Sequence, residues 1–321
     1  MKLLDVKNLN IGFSVDDEVF SVTQGVDFAV EKGKILGIVG ESGCGKSVTL
    51  MSILRLLPKN AVVKAGYINF NGKNILDITE DELRKIRGNK IALIPQDPLT
   101  SLNPLYTVGN QIIETIMLHQ KVDKIKAREL AIEALRQVNI PEPEKRIDEY
   151  PHQFSGGMCQ RVIIAMALSC NPDLIIADEP TTALDVTVQA QIMKLFKEIQ
   201  QKLGTAIILV THDLALVSEV ADEIIVMYSG EIVEKANVED FFKNPKHPYS
   251  QGLLDSLPKE TNQKLNVING QPPSIKDNIV GCKFHPRCQR SMSKCLSEEP
   301  SMRVFENGHG VSCWLYERQN T

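Results

Sequence analysis

The sequence predicts an α/β fold with a largely parallel sheet, and three observations carry that prediction. Short apolar runs of strand length alternate with amphipathic helical segments. The first of those runs passes through a glycine-rich loop straight into a helix. The chain has 321 residues, 43% of them apolar, which is ample for a buried core in one large domain or two units.

The strands of that sheet are expected at Lys34–Val39, Ile91–Ile94, Leu174–Ala177, Ala206–Val210 and Glu223–Val226. Between them, Leu130, Ala131, Ala134, Leu135 and Val138 fall on one helical face, and Asn139-Ile140-Pro141 stops that helix. Gln189–Leu203 is a second amphipathic helix. The first thirty residues differ: Leu3–Asn8 and Val26–Val30 alternate and are separated by turn residues, which predicts a smaller antiparallel sheet. After about Pro258 prolines, lysines, asparagines and cysteines dominate and helical periodicity weakens, so a boundary is expected there, between residues 1–257 and 258–321. No internal repeat or low-complexity tract is present.

Bulk properties narrow the function classes. A net charge of −4 argues against nucleic-acid binding as the main business. The N-terminus MKLLDVKNLN has no apolar signal region, and no apolar run approaches the ~18 residues that span a bilayer. The longest candidates, such as Val162–Leu168 and Ala206–Val210, have core lengths. A soluble or peripheral cytosolic protein is expected, and stable disulfides among its seven cysteines are not.

Gly40, Gly45, Lys46 and Ser47 stand in the phosphate-loop pattern G-x-x-x-x-G-K-[ST], here GESGCGKS, between an expected strand and an expected helix, Lys46–Leu57. Glycines let the loop curl so that the amides of Gly40, Glu41, Ser42, Gly43, Cys44 and Gly45 can face phosphate, and the helix N-terminus adds its dipole. Lys46 is suited to the β- and γ-phosphates of ATP, and Ser47 to Mg²⁺. Leu174–Glu179 (LIIADE) is an apolar strand ending in two acids. Asp178 can hold Mg²⁺ through water, and Glu179 can act as general base toward an attacking water.

Phe154-Ser155-Gly156-Gly157-Met158 precedes that acidic strand and opens a helix, Met158–Leu168. With this motif the chain resembles the ATP-binding cassette (ABC) ATPases, whose signature is usually LSGGQ. The resemblance implies a P-loop cassette with a mostly parallel core sheet, an N-terminal antiparallel subdomain and a helical signature subdomain at about 97–170. Ser155 and the Gly156 and Gly157 amides make a second anion-binding helix start. The P-loop already holds one side of the γ-phosphate, so this second cradle serves an ATP bound by another subunit, which predicts a head-to-tail dimer. By the same resemblance Gln96 is the Q-loop glutamine that senses Mg²⁺ and water, and Ala183-Leu184-Asp185 is the D-loop. His212 is the switch histidine at γ-phosphate, and Phe13 is the candidate for stacking on adenine, with Phe20 as competitor.

Further stretches resemble one branch, the oligopeptide/dipeptide permease ATPases: Asp97–Gly109 (DPLTSLNPLYTVG), the FSGGM form of the signature, His247–Leu254 (HPYSQGLL), Ile268–Pro273 (INGQPP) and Gly281–Cys288 (GCKFHPRC). Two departures stand out. Cys159 replaces an Arg usual in the branch, and Met158 replaces the general family's Gln. The branch implies a second, distinct ATPase subunit, two membrane subunits, an external binding protein, and a place on the cytoplasmic face of the membrane. Nickel or metal-chelate import by the same mechanism is the alternative. DNA-repair and translation ATPases are disfavoured, because no long insertion separates Ser47 from Ser155 and only one cassette is present. Cys44, inside the loop, predicts sensitivity to bulky thiol reagents.

Cys282, Cys288, Cys295 and Cys313 crowd the C-terminal end with no ferredoxin or CxxC spacing. From spacing alone three readings stay open: an iron–sulfur cluster, a zinc site using His285 or His309, and four free thiols. The branch resemblance implies a [4Fe–4S] cluster with a structural or regulatory role.

Overall fold

A computed structural model describes residues 1–16, 18–182, 184–257, 268–277 and 279–317. Its chain divides into two compact units. One comprises Met1, Val30–Ile35 and Asp77–Val210; the other comprises Lys2–Ala29, Leu36–Leu76 and Thr211–Thr321.

In the first unit the strands Ile91–Ile94, Leu174–Asp178 and Ala206–Val210 pair in parallel, with Ile94 opposite Ala177 and Asp178 opposite Val210. The last two are buried at every position, as expected of parallel strands covered on both faces. The helices Val108–His119, Lys124–Gln137 and Gly156–Leu168 pack on one another. Ala127, Ala131, Ala134 and Leu135 supply the buried face of the second, close to the expected stripe. Helix starts are set by side-chain caps: Thr107, Asp123, Ser155 and Asp185 each accept an N–H of the first turn. Capping also explains two shifts. The helix expected from Met158 begins at Gly156 behind Ser155, and the one expected from Gln189 begins at Val186 behind Asp185.

The second unit holds two sheets. In the smaller, Lys2–Val15 pairs antiparallel with Ala61–Lys64 and with Tyr67–Phe70, and neighbours Glu18–Glu31. Both N-terminal strands have fourteen residues and run well past the expected Leu3–Asn8 and Val26–Val30. Asn8 and Gly25 take φ of 48° and 57° inside the strands, and their amides donate to side chains of the neighbouring strand, Asp27 Oδ1 at 2.6 Å and Asn10 Oδ1 at 2.9 Å. In the larger sheet Glu223–Tyr228 runs parallel to Ile35–Val39 and antiparallel to Glu231–Asn237.

C-terminal residues extend that sheet: Gly310–Ser312 pairs with Glu231–Asn237 and with Met302–Val304. The boundary expected at about 258 falls on residues 258–267, outside those described. Beyond it, Phe284 enters the same core as Val39, Val226, Tyr228, Phe241 and Tyr249. Glu234, fully buried, accepts hydrogen bonds from the Lys246 and His247 amides at 2.7 and 2.8 Å and meets His309 Nε2 at 2.6 Å, which ties the segment down. Among the described residues no helix is long and apolar enough to cross a membrane.

Candidate functional site

The phosphate loop lies in the second unit, between Ile35–Val39 and the helix Lys46–Ile53. The helix stops short of the expected Leu57 because Arg55 turns left-handed, at φ 52°. Glycine is required at two loop positions. Gly40 has φ 154°, and a Cβ there would lie 2.3 Å from the Met227 carbonyl oxygen. Gly45, the N-cap, has φ 99°, and its Cβ would lie 2.9 Å from Thr23 Cγ2. Lys46 is buried, and its Nζ donates to the Gly40 and Glu41 carbonyls at 2.8 and 3.0 Å, so the ammonium is fixed over the curl of the loop.

Cys44 corrects an expectation. Its thiol is buried and its pKa is raised by desolvation, against the pull of Lys46. A protonated, buried sulfur reacts slowly with bulky thiol reagents, so the predicted sensitivity does not follow.

Two residues the sequence reading missed grip the loop from the C-terminal side. The Glu41 amide donates to Tyr249 Oη at 2.9 Å, and Arg287 spans both carboxylate oxygens of Glu41 at 2.5 and 3.0 Å. Tyr249 is delivered by the HPY element. Burial drives the His247 pKa down to about 3, so its ring is neutral and Nδ1 accepts the Tyr249 amide at 3.1 Å, capping Pro248–Asp255. The sequence signal available for both was an aromatic and a cation in motifs without periodicity, HPY and HPRC. Phe20 and Gly43 line one cavity with Lys276, a cavity that Phe13 does not line. Phe13 sits on Lys2–Val15 opposite Ala61.

In the first unit the acidic strand end and the Q-loop come together. Asp178 is buried at the last position of Leu174–Asp178. Glu179 takes φ 46°, an uncommon conformation for a side chain of its size, immediately past the strand. Its amide donates to the Val210 carbonyl at 2.9 Å, and its Oε2 accepts from Gln96 Nε2 at 3.2 Å and Thr182 Oγ1 at 2.9 Å. Thr182 is thus a third partner, absent from the sequence reading. Gln96 and Thr182 thus orient the carboxylate.

The signature helix is in the same unit. Ser155 is exposed and caps it, accepting the Met158 amide at 3.4 Å. Gly157 is pressed against the helix Val186–Leu203: a Cβ would sit 2.6 Å from Val188 Cγ1. Replacing Gly157 by Ala is therefore expected to cost about 1–3 kcal/mol by overpacking. Thermal denaturation should recover in the pair Gly157→Ala with Val188→Ala; an unchanged midpoint in the single variant would refute the contact. Cys159 is fully buried, with Sγ 3.6 Å from the Pro151 carbonyl oxygen, so the departure from Arg does not touch the Ser155 cradle. Asp185 caps Val186–Leu203, while Ala183 of the D-loop lies outside the described residues. Ser47 and His212 belong to the second unit and are exposed, His212 just beyond the strand Ala206–Val210.

Cys282, Cys288, Cys295 and Cys313 line one small cavity with His285, Phe284 and Trp314. Burial raises the pKa of Cys282 to about 11 and raises those of Cys288 and Cys313 as well. His309 is not at this cavity; its ring is engaged by Glu234, which removes it from the zinc reading. Among the described residues no group of three or more His, Cys, Asp or Glu is placed to hold a metal ion.

Comparison with known proteins agrees with this geometry. Residues 23–182 match the family described as ABC transporter, and residues 233–295 match the oligopeptide/dipeptide transporter C-terminal region. The chain is 47% identical to the oligopeptide transport ATP-binding protein AppD of Bacillus subtilis, over 99% of this chain and 98% of that protein. It is also 47% identical to the dipeptide transport ATP-binding protein DppD of Escherichia coli, over 98% and 96%. Among solved structures, a dimeric ATP-binding cassette in a post-hydrolysis state bound to ADP and Pi superposes with a TM-score of 0.65 at 29% identity, covering 73% of this chain and 98% of that one. The phosphate loop, the aimed Glu179, the capped signature helix and these likenesses together place the chain among the ATP-binding subunits of ABC transporters, in the group that carries the oligopeptide/dipeptide C-terminal region.

Proposed function

We propose that this chain hydrolyses ATP to drive uptake of di- or oligopeptides through partner membrane subunits. The observation that carries the reading is the likeness, over nearly the whole chain, to ATP-binding proteins named for oligopeptide and dipeptide transport. Nickel or metal-chelate import, and the DNA-repair and translation roles, gain no support from those relatives.

In this reading Lys46 and the loop amides from Gly40 to Gly45 hold the β- and γ-phosphates. Ser47, Gln96 and Asp178 would hold Mg²⁺, which would neutralise phosphate charge. Glu179 takes a proton from the attacking water, with Gln96 and Thr182 orienting its carboxylate. His212 contacts the γ-phosphate, and an aromatic, Phe13 or Phe20, stacks on adenine. Ser155, Gly156, Gly157 and Met158 meet the ATP of a second cassette, and Asp185 lies at that same interface. Likeness to a dimeric cassette supports the two-subunit arrangement; that the second subunit is a distinct paralogue rests on the branch resemblance.

Docking to membrane subunits at the cytoplasmic face is supported by large apolar side chains exposed just after the Q-loop, Leu99 at 63%, Leu105 at 80% and Tyr106 at 55%. Reconstitution with membrane subunits and a binding protein of a peptide transporter tests the reading. Peptide-stimulated ATP hydrolysis is expected, and stimulation by nickel alone would reassign the cargo.

The four C-terminal cysteines are our candidates for a [4Fe–4S] cluster, which would supply cross-linking rather than chemistry on ATP. Their convergence on one cavity supports this. Protein purified anaerobically is expected to be brown, and Cys288→Ser to bleach it. Colourless protein with stoichiometric zinc would defeat the assignment.

A further inference from the structure

We propose that Arg287 is a positioning residue of the phosphate loop, cancelling the charge of Glu41 where the triphosphate must approach. The inference rests on the ATPase reading above.

Glu41 is a carboxylate inside an anion-binding loop, next to Gly40 and two residues before Gly43. Left uncompensated, it would repel a triphosphate across a few ångströms of partly desolvated space. Arg287 removes that penalty. Its side chain is only 5% exposed and grips both Glu41 oxygens in a two-pronged pair, the geometry in which a guanidinium binds a carboxylate most strongly. The fork is itself fixed: Nε donates to the Asn269 carbonyl at 3.1 Å, and Nη1 reaches Tyr228 Oη at 3.4 Å.

Tyr228 and Tyr249 are in turn wedged by Phe284, with ring centroids 5.1 and 5.4 Å away. Tyr249 holds the Glu41 amide while Arg287 holds its side chain. The C-terminal segment therefore supplies two of the groups that set the loop's shape and charge, from residues 208 and 246 positions away in sequence. Because Phe284 and Arg287 lie between Cys282 and Cys288, rearrangement of the cysteine cavity would move the same clamp.

The test is calorimetric MgATP binding by the full-length chain. Arg287→Ala is expected to weaken binding about tenfold, and Arg287→Lys, which keeps charge but loses the fork, about threefold. Glu41→Gln alone should tighten binding about threefold, because the loop then loses its carboxylate while the Arg287 charge stays beside it. In the double variant Arg287→Ala with Glu41→Gln, most of the lost affinity should return. That recovery separates charge cancellation from scaffolding, since deleting a carboxylate does not repair a collapsed loop. Wild-type affinity in Arg287→Ala, or a double variant as weak as the single, overturns the proposal. Wild-type chain that fails to bind MgATP, or binds it as well after Lys46→Ala, would instead sink the ATPase reading itself.

Discussion

Replacing Glu179 with Gln is expected to lower ATP hydrolysis by about a thousandfold while leaving MgATP binding intact, the range a positioned general base supplies. The substitution preserves size and both hydrogen-bonding directions toward Gln96 and Thr182, so the positive-φ turn past the strand should survive it. What it removes is the proton acceptor. With ATP bound and not cleaved, the two cassettes should stay closed on each other. Single-turnover phosphate release would read the rate, and size-exclusion chromatography in MgATP would read the dimer. Hydrolysis within tenfold of wild type would assign the base to another residue. Thr182→Val is the informative companion: the methyl cannot donate to Oε2, so a partial loss is expected from misaiming alone.

Lys46→Ala is expected to weaken MgATP binding by two to three orders of magnitude, as for the loss of a preorganised cation at a phosphoryl group. Two effects add. The ammonium that meets the phosphates is gone, and the Gly40 and Glu41 carbonyls lose the donor that holds them 2.8 and 3.0 Å from Nζ. The loop then has less reason to keep its curl before nucleotide arrives. Equilibrium binding of a fluorescent ATP analogue measures the loss. Binding within fivefold of wild type would mean that the loop amides alone carry the affinity.

These variants probe groups that were visible in the bare sequence because their chemistry is local. Gly40, Gly45, Lys46 and Ser47 declare themselves by spacing, since a short loop has few ways to aim its amides inward. Asp178 and Glu179 end an unbroken apolar run, and Ser155 stands where a helix needs a cap. The strands at residues 91, 174 and 206 were equally plain, because burial on both faces demands uninterrupted apolar side chains.

Where partners are remote, the sequence was silent. The N-terminal strands were expected to be short, but Asp27 and Asn10 accept the Asn8 and Gly25 amides across the pair and the strands run on past both. His309 looked available to a metal until its ring was found against Glu234. Cys44 looked reactive until burial raised its pKa.

By itself, then, the sequence determined the parallel α/β core, the phosphate loop and the roles open to Lys46, Ser155 and Glu179, because each depends on residues a few positions apart. Only the tertiary structure decided that Thr182 shares the aiming of Glu179, and that Arg287 and Tyr249 return from the far end of the chain to hold Glu41. The physical reason is the same in both cases. A carboxylate's behaviour is set by the donors around it in space, and packing chooses those donors without regard to their distance along the chain.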